Sequence, residues 1–135
     1  MSKVQEKWEV WRPILHTQEL YTIDTIKSDH DSLYLTLVGK TNKISIEFHD
    51  SVASYMHIEE SFRTETICTL SEQLGEKFNT WMFYQVRNSL YIQWFCDEFG
   101  CHNRYVLTHF AIIDENSFLE ILAYREPEFK ITESV

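Results

Sequence analysis

Glycine and proline are scarce in this 135-residue sequence, with three and two residues respectively. This scarcity excludes low-complexity linkers and a glycine-rich loop for phosphate. No apolar run approaches the roughly 18 to 20 residues that cross a bilayer, and the first residues, MSKVQEKWEVW, lack the apolar stretch of a signal peptide. Because 44% of the residues are hydrophobic and 15% aromatic, the chain can bury one core. We therefore expect a single cytoplasmic domain over residues 1–135.

Cysteine is rare as well. Cys68, Cys96 and Cys101 cannot all pair internally, so we expect free thiols in a reducing compartment. Cys96, Cys101 and His102 form a C-x4-C-H run. A structural zinc site needs a matching second pair of ligands, and Cys68 would have to come from elsewhere in the chain. We therefore predict neither a bound metal nor a cofactor.

Basic residues are outnumbered, since 12 Lys and Arg stand against 21 Asp and Glu and give a net charge of −9. Such a field makes nucleic acid a poor partner. Between residues 44 and 76 only Arg63 opposes the acids Glu47, Asp50, Glu59, Glu60, Glu65, Glu72 and Glu76. Two interpretations stay open, namely ordinary solubilising charge and a surface that steers a basic partner towards it.

The richest aromatic stretch is Trp81 to Phe95, WMFYQVRNSLYIQWF. Its two apolar runs flank a polar break at Arg87, Asn88 and Ser89, which predicts a β-hairpin. Both faces of the first run carry large side chains, so that strand is expected in the core or under a partner.

Other segments predict a mainly antiparallel sheet. The N-terminal apolar spacing of Val4, Trp8, Trp11 and Leu15 predicts a short helix that stops before Pro13, with its Trp pair on the sheet. Strands are expected at Leu20 to Lys27, Leu33 to Val38, Ile44 to Phe48, Ser54 to Phe62 and Tyr105 to Ile113. Phe118 to Tyr124 fits a strand, which we favour, or a short helix.

One internal helix is predicted from Ile67, Leu70, Leu74 and Phe78, which share a helical face. Thr64 is its expected N-cap and Gly75 its weak point. The predicted fold class is α+β, mainly antiparallel β, with a coiled or partly closed sheet and one or two helices packed against it.

Three segments, ISIEFHDSVASYMHIEE, WMFYQVRNSLYIQWF and THFAIIDENSFLEILAYREPEF, share a pattern with known proteins. The matching positions are Phe48, Val52, Tyr55, Trp81, Tyr84, Val86, Asn88, Ser89, Tyr91, Trp94, Phe95, His109, Ile112, Asp114, Glu126 and Pro127. From about Ile44 to Phe129 the chain resembles small β-rich bacterial proteins of the toxin-immunity type. This resemblance implies a small β-rich protein that binds and inhibits a toxin.

The predicted function is therefore that of a non-enzymatic protein-binding module, an acidic inhibitor of a basic bacterial toxin such as a nuclease. Its carboxylates would mimic phosphate, and exposed aromatics among them would form the buried centre of the interface. The expected binding residues are Glu47, Asp50, Tyr55, Glu59, Glu60, Tyr84, Tyr91 and Trp94. For each aromatic the alternative is a place in the core. The oligomeric state stays open, with a homodimer among the alternatives.

Two other classes are weighed against this function. A small-ligand carrier would use a cavity between the sheet and a helix. A hydrolase would need an acid and base pair, and the candidate groupings are His49 with Asp50, His57 with Glu59 and Glu60, and His109 with Asp114. None of these has a specific spacing, so we do not predict an enzyme.

Overall fold

The computed structural model describes residues 5–13, 20–99 and 106–133. The strands in these ranges are β1 (Lys7–Val10), β2 (Thr22–Asp29), β3 (Ser32–Val38), β4 (Asn42–Phe48), β5 (Val52–Glu59), β6 (Phe83–Arg87), β7 (Thr108–Ile113), β8 (Ser117–Ala123) and β9 (Glu128–Glu133). The α-helices are α1 (Thr64–Leu74) and α2 (Leu90–Phe99), and two 3₁₀ helices, Glu60–Phe62 and Gly75–Asn79, flank α1. Neither α-helix is long and apolar enough to cross a membrane.

The strands form two antiparallel sheets. A five-stranded sheet has the order β1-β6-β7-β8-β5, and a four-stranded sheet has the order β2-β3-β4-β9. The predicted α+β class, mainly antiparallel with helices packed against the sheet, is confirmed, and neither sheet closes into a barrel.

The main core lies between the two sheets. Leu33, Leu35 and Leu37 alternate with more exposed residues along β3, and Ile44, Ile46 and Phe48 do the same along β4. Their side chains meet the face of the five-stranded sheet that carries Phe83, Phe110, Ile112, Leu119 and Ile121. The period-two pattern of these strands thus marks one buried and one outer face, as predicted.

The helices cover the other face of the five-stranded sheet. There Leu70 of α1 packs against a second buried cluster of Trp8, Tyr84, Val86, Ala111 and Phe118. The molecule has three layers, so β8 is covered on both faces and every one of its residues is buried. A strand buried on both faces loses its alternation, which explains why its segment also fitted a helix.

The predicted hairpin at Trp81 to Phe95 is wrong in its second half. Phe83–Arg87 is strand β6, but Leu90–Phe99 is helix α2. Asn88 turns the chain with a φ of 55°, and the Ser89 hydroxyl then accepts the backbone N–H of Ile92 at 3.0 Å. Ser89 therefore caps a helix at the position where the sequence indicated a tight turn.

The structure also differs from the predicted layout near both ends of the chain. The predicted N-terminal helix is wrong, because Lys7–Val10 is strand β1 and pairs Trp8 with Val86. Val4 and Leu15 lie outside the described residues. Strand β9 was not predicted, although it completes the four-stranded sheet beside β4. Both strands lie at sheet edges, where half of the side chains face solvent and the hydrophobic pattern is weak.

The prediction of free thiols is wrong for Cys96, which is disulfide-bonded, whereas Cys68 is free and exposed. Cys101 and His102 lie outside the described residues. The cysteine content therefore no longer supports a reducing compartment.

Helix α1 is confirmed, but its predicted cap is not. Thr64 is its first helical residue, and its hydroxyl donates to the Ser61 carbonyl instead of accepting a backbone N–H of the first turn. At the other end Gly75 stops the helix with a φ of 59° and a ψ of −130°. This backbone conformation strongly favours glycine.

We expect Gly75→Ala to lower the free energy of unfolding by about 1–2 kcal/mol through backbone strain. No atom lies within 4 Å of a Cβ built at this position, so steric overlap adds nothing. Urea unfolding measures the change, and Gly39→Ala is the matched control because Gly39 does not have a positive φ. Equal losses in both variants would contradict the strain argument.

Candidate functional site

A carboxylate lies buried in the middle of an apolar strand. Glu120 of β8 is 1% exposed, and its neighbours along the strand are Leu119 and Ile121. Its Oε1 lies 3.0 Å from Nε2 of His109, and its Oε2 lies 2.9 Å from a terminal nitrogen of Arg63. A buried charge needs such partners, because an unpaired one is strongly destabilising.

The network continues from His109 to the N-terminus of α2. Nδ1 of His109 lies 2.6 Å from the Ser89 hydroxyl. In a neutral ring, Nε2–H donates to the carboxylate and Nδ1 accepts the hydroxyl proton of Ser89. These contacts join four side chains in one chain of contacts. Its members, in order, are Ser89 at the cap of α2, His109 of β7, Glu120 of β8 and Arg63 at the start of α1.

The hydrogen bonding of this chain is incomplete at one end. Among the described residues, Glu120 Oε2 and Arg63 Nε have no hydrogen-bond partner although both atoms are buried. The short contact between Arg63 and Glu120 is therefore an ion pair without hydrogen-bond alignment. A small rotation of the guanidinium would align a charge-assisted hydrogen bond at this distance.

A cavity of about 450 Å³ opens beside this chain. Its lining includes His109, Glu120, Arg63, Met56 and the ring of Tyr91. Leu90 and Trp94 of α2 also line it, and they are 61% and 58% exposed. We call this cavity the Glu120 pocket.

Tyr91 joins α2 to the edge of the sheet. Its hydroxyl lies 2.5 Å from the Ser54 hydroxyl of β5, and its ring meets that of His109 edge to face at 5.5 Å. Burial raises the pKa of Tyr91, a hydrogen bond from Ser54 opposes the rise, and the negative charge of Glu120 adds to it. Tyr91 is therefore a neutral hydrogen-bonding group at neutral pH.

Glu6 ties the first strand region to α2. Its carboxylate accepts the backbone N–H of Leu90 at 2.8 Å and the indole N–H of Trp8 at 3.2 Å. It also lines the Glu120 pocket. A carboxylate at a helix N-terminus complements the helix dipole, so Glu6 and Ser89 together fix where α2 begins.

The order hydroxyl, imidazole and carboxylate also occurs in serine hydrolases. Here the Ser89 oxygen also accepts the N–H of Ile92, and Ser89 lines a separate cavity at the start of α2 and not the Glu120 pocket. These contacts give the chain a structural role, because they hold the start of α2 on the sheet.

The predicted acid and base groupings are not brought together. The carboxylate that contacts His109 is Glu120, whereas Asp114 caps its own turn by accepting the N–H groups of Asn116 and Ser117. His57 contacts the Ser117 hydroxyl at 2.8 Å, and His49 contacts Glu47 at 2.8 Å.

The predicted binding residues are distributed over several parts of the molecule. Tyr84 is a correction, because its side chain is completely buried against Trp8 and cannot meet a partner. Glu47 lies on the outer face of the four-stranded sheet, and Asp50 forms the turn after β4, bonded to Ser32. Glu47 is therefore separated by both sheets from the helix layer, whereas Asp50 lies in the turn that joins one sheet to the other.

The remaining predicted binding residues lie closer to one another. Tyr91 and Trp94 line the Glu120 pocket. Tyr55 and Glu59 belong to β5, and Glu60 follows it. Ser54 and Met56 of the same strand reach Tyr91 and the pocket. Tyr91 and Trp94 thus lie on the helix side of the sheet, whereas Tyr55 and Glu59 project to its other face, and the prediction that these residues bind a partner stays a prediction.

A possible ligand set for a metal occurs elsewhere, at Glu47, His49 and Glu128, whose ligand atoms lie within 4.8 Å of one another. The three side chains are largely exposed on the outer sheet face. Exposed groups of this kind are common on acidic proteins, so we assign no metal to them.

Ser89, Arg63 and Glu120 were not predicted as site residues. One signal was present, because the polar residues from Asp114 to Ser117 mark a turn that sets the register of β7 against β8. That register pairs Ala111 with Glu120 and His109 with Leu122, which places His109 and Glu120 diagonally on one face. The partner Arg63 has no comparable signal in the sequence.

Comparison with known proteins adds no family assignment: no protein-family model, no curated protein and no solved structure matches this chain.

We expect Arg63→Met to lower the free energy of unfolding by a few kcal/mol. Removing one partner of a buried ion pair typically costs ~3–5 kcal/mol, and the lower end of this range applies because Arg63 is partly exposed. The double variant with Glu120→Gln should lose less than the sum of the single variants. Urea unfolding of all four proteins measures this coupling. Arg87→Met is the control, since its 2.6 Å pair with Glu9 is exposed and worth about 0–1 kcal/mol.

Alkaline pH should destabilise the fold through Tyr84 and Tyr91. Burial raises both pKa values above the ordinary value of 10.0, so the folded chain keeps protons that the unfolded chain releases. The contribution of these two tyrosines to stability is thus constant below about pH 10 and falls above it. Urea unfolding from pH 7 to 11 should give a shallower fall for Tyr84→Phe and Tyr91→Phe than for the wild type. An unchanged slope in both variants would contradict the stated cause.

Proposed function

We propose that this chain is a non-enzymatic protein-binding module that inhibits a basic partner, most simply a bacterial toxin domain, in the cytoplasm. The observation that carries the proposal is the Glu120 pocket, where the exposed side chains of Trp94 and Leu90 surround a buried carboxylate. Function as an immunity protein rests on this site together with the charge of the chain.

The pocket has the composition of an interface centre. Tryptophan is enriched among residues that dominate binding energy, and a large apolar side chain in solvent gains most when a partner covers it. Trp94 packs near Tyr91, with ring centroids 6.3 Å apart. A partner side chain that enters here would be held between aromatic rings and the sheet.

The charge of the pocket favours a cationic group from the partner. Glu120 and Glu6 contribute two carboxylates to the lining, and Arg63 contributes one guanidinium. A lysine or arginine side chain would gain from the excess acid and from the face of the Trp94 ring. The net charge of −9 would also speed the encounter with a basic protein, and salt would slow it.

The test begins with co-purification of the tagged chain with the products of neighbouring genes. Affinity for the recovered partner is then measured for two truncations of equally exposed side chains, Trp94→Ala and Leu20→Ala, both 58% exposed. We expect Trp94→Ala to weaken binding at least about tenfold, as for a residue at an interface centre, and Leu20→Ala to have little effect.

Recovery of a basic partner whose activity disappears in the complex is the expected result. A recovered partner that binds both variants equally would place the interface elsewhere, and failure to recover any partner would overturn the proposal.

A second candidate function, a small-ligand carrier, is favoured by one observation. A cavity of about 670 Å³ lies where the start of β2, the end of β7 and the 3₁₀ helix before β6 meet. Tyr21, Phe78, Trp81 and Met82 contribute apolar surface to it, and Asp114 a carboxylate. This volume is within the range of small-molecule sites. An apolar ligand retained through purification, detected by native mass spectrometry, would favour this function.

A further inference from the structure

Strand β5 forms one edge of the five-stranded sheet and differs from the other sheet edges. The four edge strands are β1, β2, β5 and β9. Three of them carry a lysine, at Lys7, Lys27 and Lys130, whereas β5, reading VASYMHIE, carries no lysine, arginine or proline. Lysine and proline on edge strands prevent the addition of another strand. Strand β5 lacks these residues, and after an irregularity between Val52 and Ser54 its pairing is regular from Tyr55 to Glu59.

The direction of the backbone groups of β5 follows from one hydrogen bond. The N–H of Glu60 donates to the Asn116 carbonyl on the β8 side. Pairing from Tyr55 to Glu59 is regular, and backbone groups alternate in direction along an antiparallel strand. The N–H and C=O groups of Tyr55, His57 and Glu59 therefore point away from β8. In the described part of the chain, no strand pairs with that side.

This open edge is continuous with the Glu120 pocket. Ser54 and Met56 lie on the helix-facing side of β5, where Ser54 bonds Tyr91 and Met56 lines the pocket. A strand added beside β5 would project every second side chain onto this same face. One of those side chains would lie beside Met56, at the mouth of the pocket.

We propose that β5 binds an extended segment of the basic partner as a sixth strand of this sheet, with a lysine or arginine of that segment directed to the Glu120 pocket. This inference rests on the proposed function and adds the mode of binding. Main-chain hydrogen bonds to Tyr55, His57 and Glu59 supply affinity, and the pocket supplies selectivity. The exposed carboxylates of Glu59 and Glu60 complement a basic segment.

The test compares two substitutions at one position. His57→Pro removes an outward N–H that β8 does not use, and proline is tolerated at such positions of edge strands. His57→Ala removes the same imidazole, including its contact with Ser117, but keeps the N–H. Affinity for the partner recovered with the wild-type chain should fall at least about tenfold in His57→Pro and stay within about threefold of wild type in His57→Ala.

A second measurement covers the case in which His57→Pro does not fold. Hydrogen exchange of the wild-type protein, alone and with the recovered partner, should show new protection at the amides of Tyr55, His57 and Glu59. Absence of that protection would overturn the inference whatever the variants do.

The remaining outcomes separate this inference from the proposed function. Binding that is lost in Trp94→Ala but unchanged in His57→Pro would leave the function in place and refute the added strand. No partner for the wild-type chain would remove both. A dimer of the wild-type chain in sedimentation that becomes monomeric in His57→Pro would assign the edge to a second copy and overturn the partner segment.

Discussion

The burial of one carboxylate constrains the whole helix side of this protein. Glu120 lies in a strand that is covered on both faces, where an isolated charge would cost several kcal/mol. The fold offsets this cost by bringing Arg63 from the start of α1 and His109 from β7 to its two oxygens. Since His109 in turn contacts Ser89 at the cap of α2, the positions of both helices depend on the same charge. Replacing the network by apolar residues would remove this coupling between the helices, although it need not lower stability.

Much of the fold could be predicted because half-buried strands and an amphipathic helix leave periodic patterns. Leu33, Leu35 and Leu37 alternate with more exposed residues, and the face of Leu70 and Leu74 has helical spacing. Helix α2 could not be predicted in this way. Its aromatic residues have high intrinsic preference for strands, and their place in a helix is decided by the cap at Ser89 and by contacts with the sheet. Tertiary contacts outweighed local preference there.

The site was less predictable than the fold, because its chemistry depends on pairs that are far apart in the sequence. Arg63 was visible only as a single base within an acidic segment, and nothing in the chain indicates that it meets Glu120. The aromatics present the same difficulty, since Tyr84 and Trp94 both lie in the aromatic stretch, yet the first is fully buried and the second is largely exposed. Exposure is decided by the layer that covers each residue. In this molecule Tyr84 packs in the cluster with Leu70 beneath α1, whereas Trp94 lies at the open side of the Glu120 pocket.

The buried network and the exposed pocket are two aspects of one arrangement. Glu6 and Ser89 fix the start of α2, and Tyr91 fixes its first turn to Ser54 of β5. Trp94 follows one turn later on the same face, so its ring is presented from a helix held at three points. A side chain positioned in advance loses little conformational entropy when a partner covers it, which increases affinity without any additional contact. The contact between Tyr91 and Ser54 holds α2 against β5, so the pocket and the open sheet edge keep a fixed relation to each other. A partner segment that adds to β5 would therefore meet a pocket that is already formed. The buried polar network would contribute to partner binding in this way, because it keeps the pocket and the edge of β5 at a fixed distance and orientation.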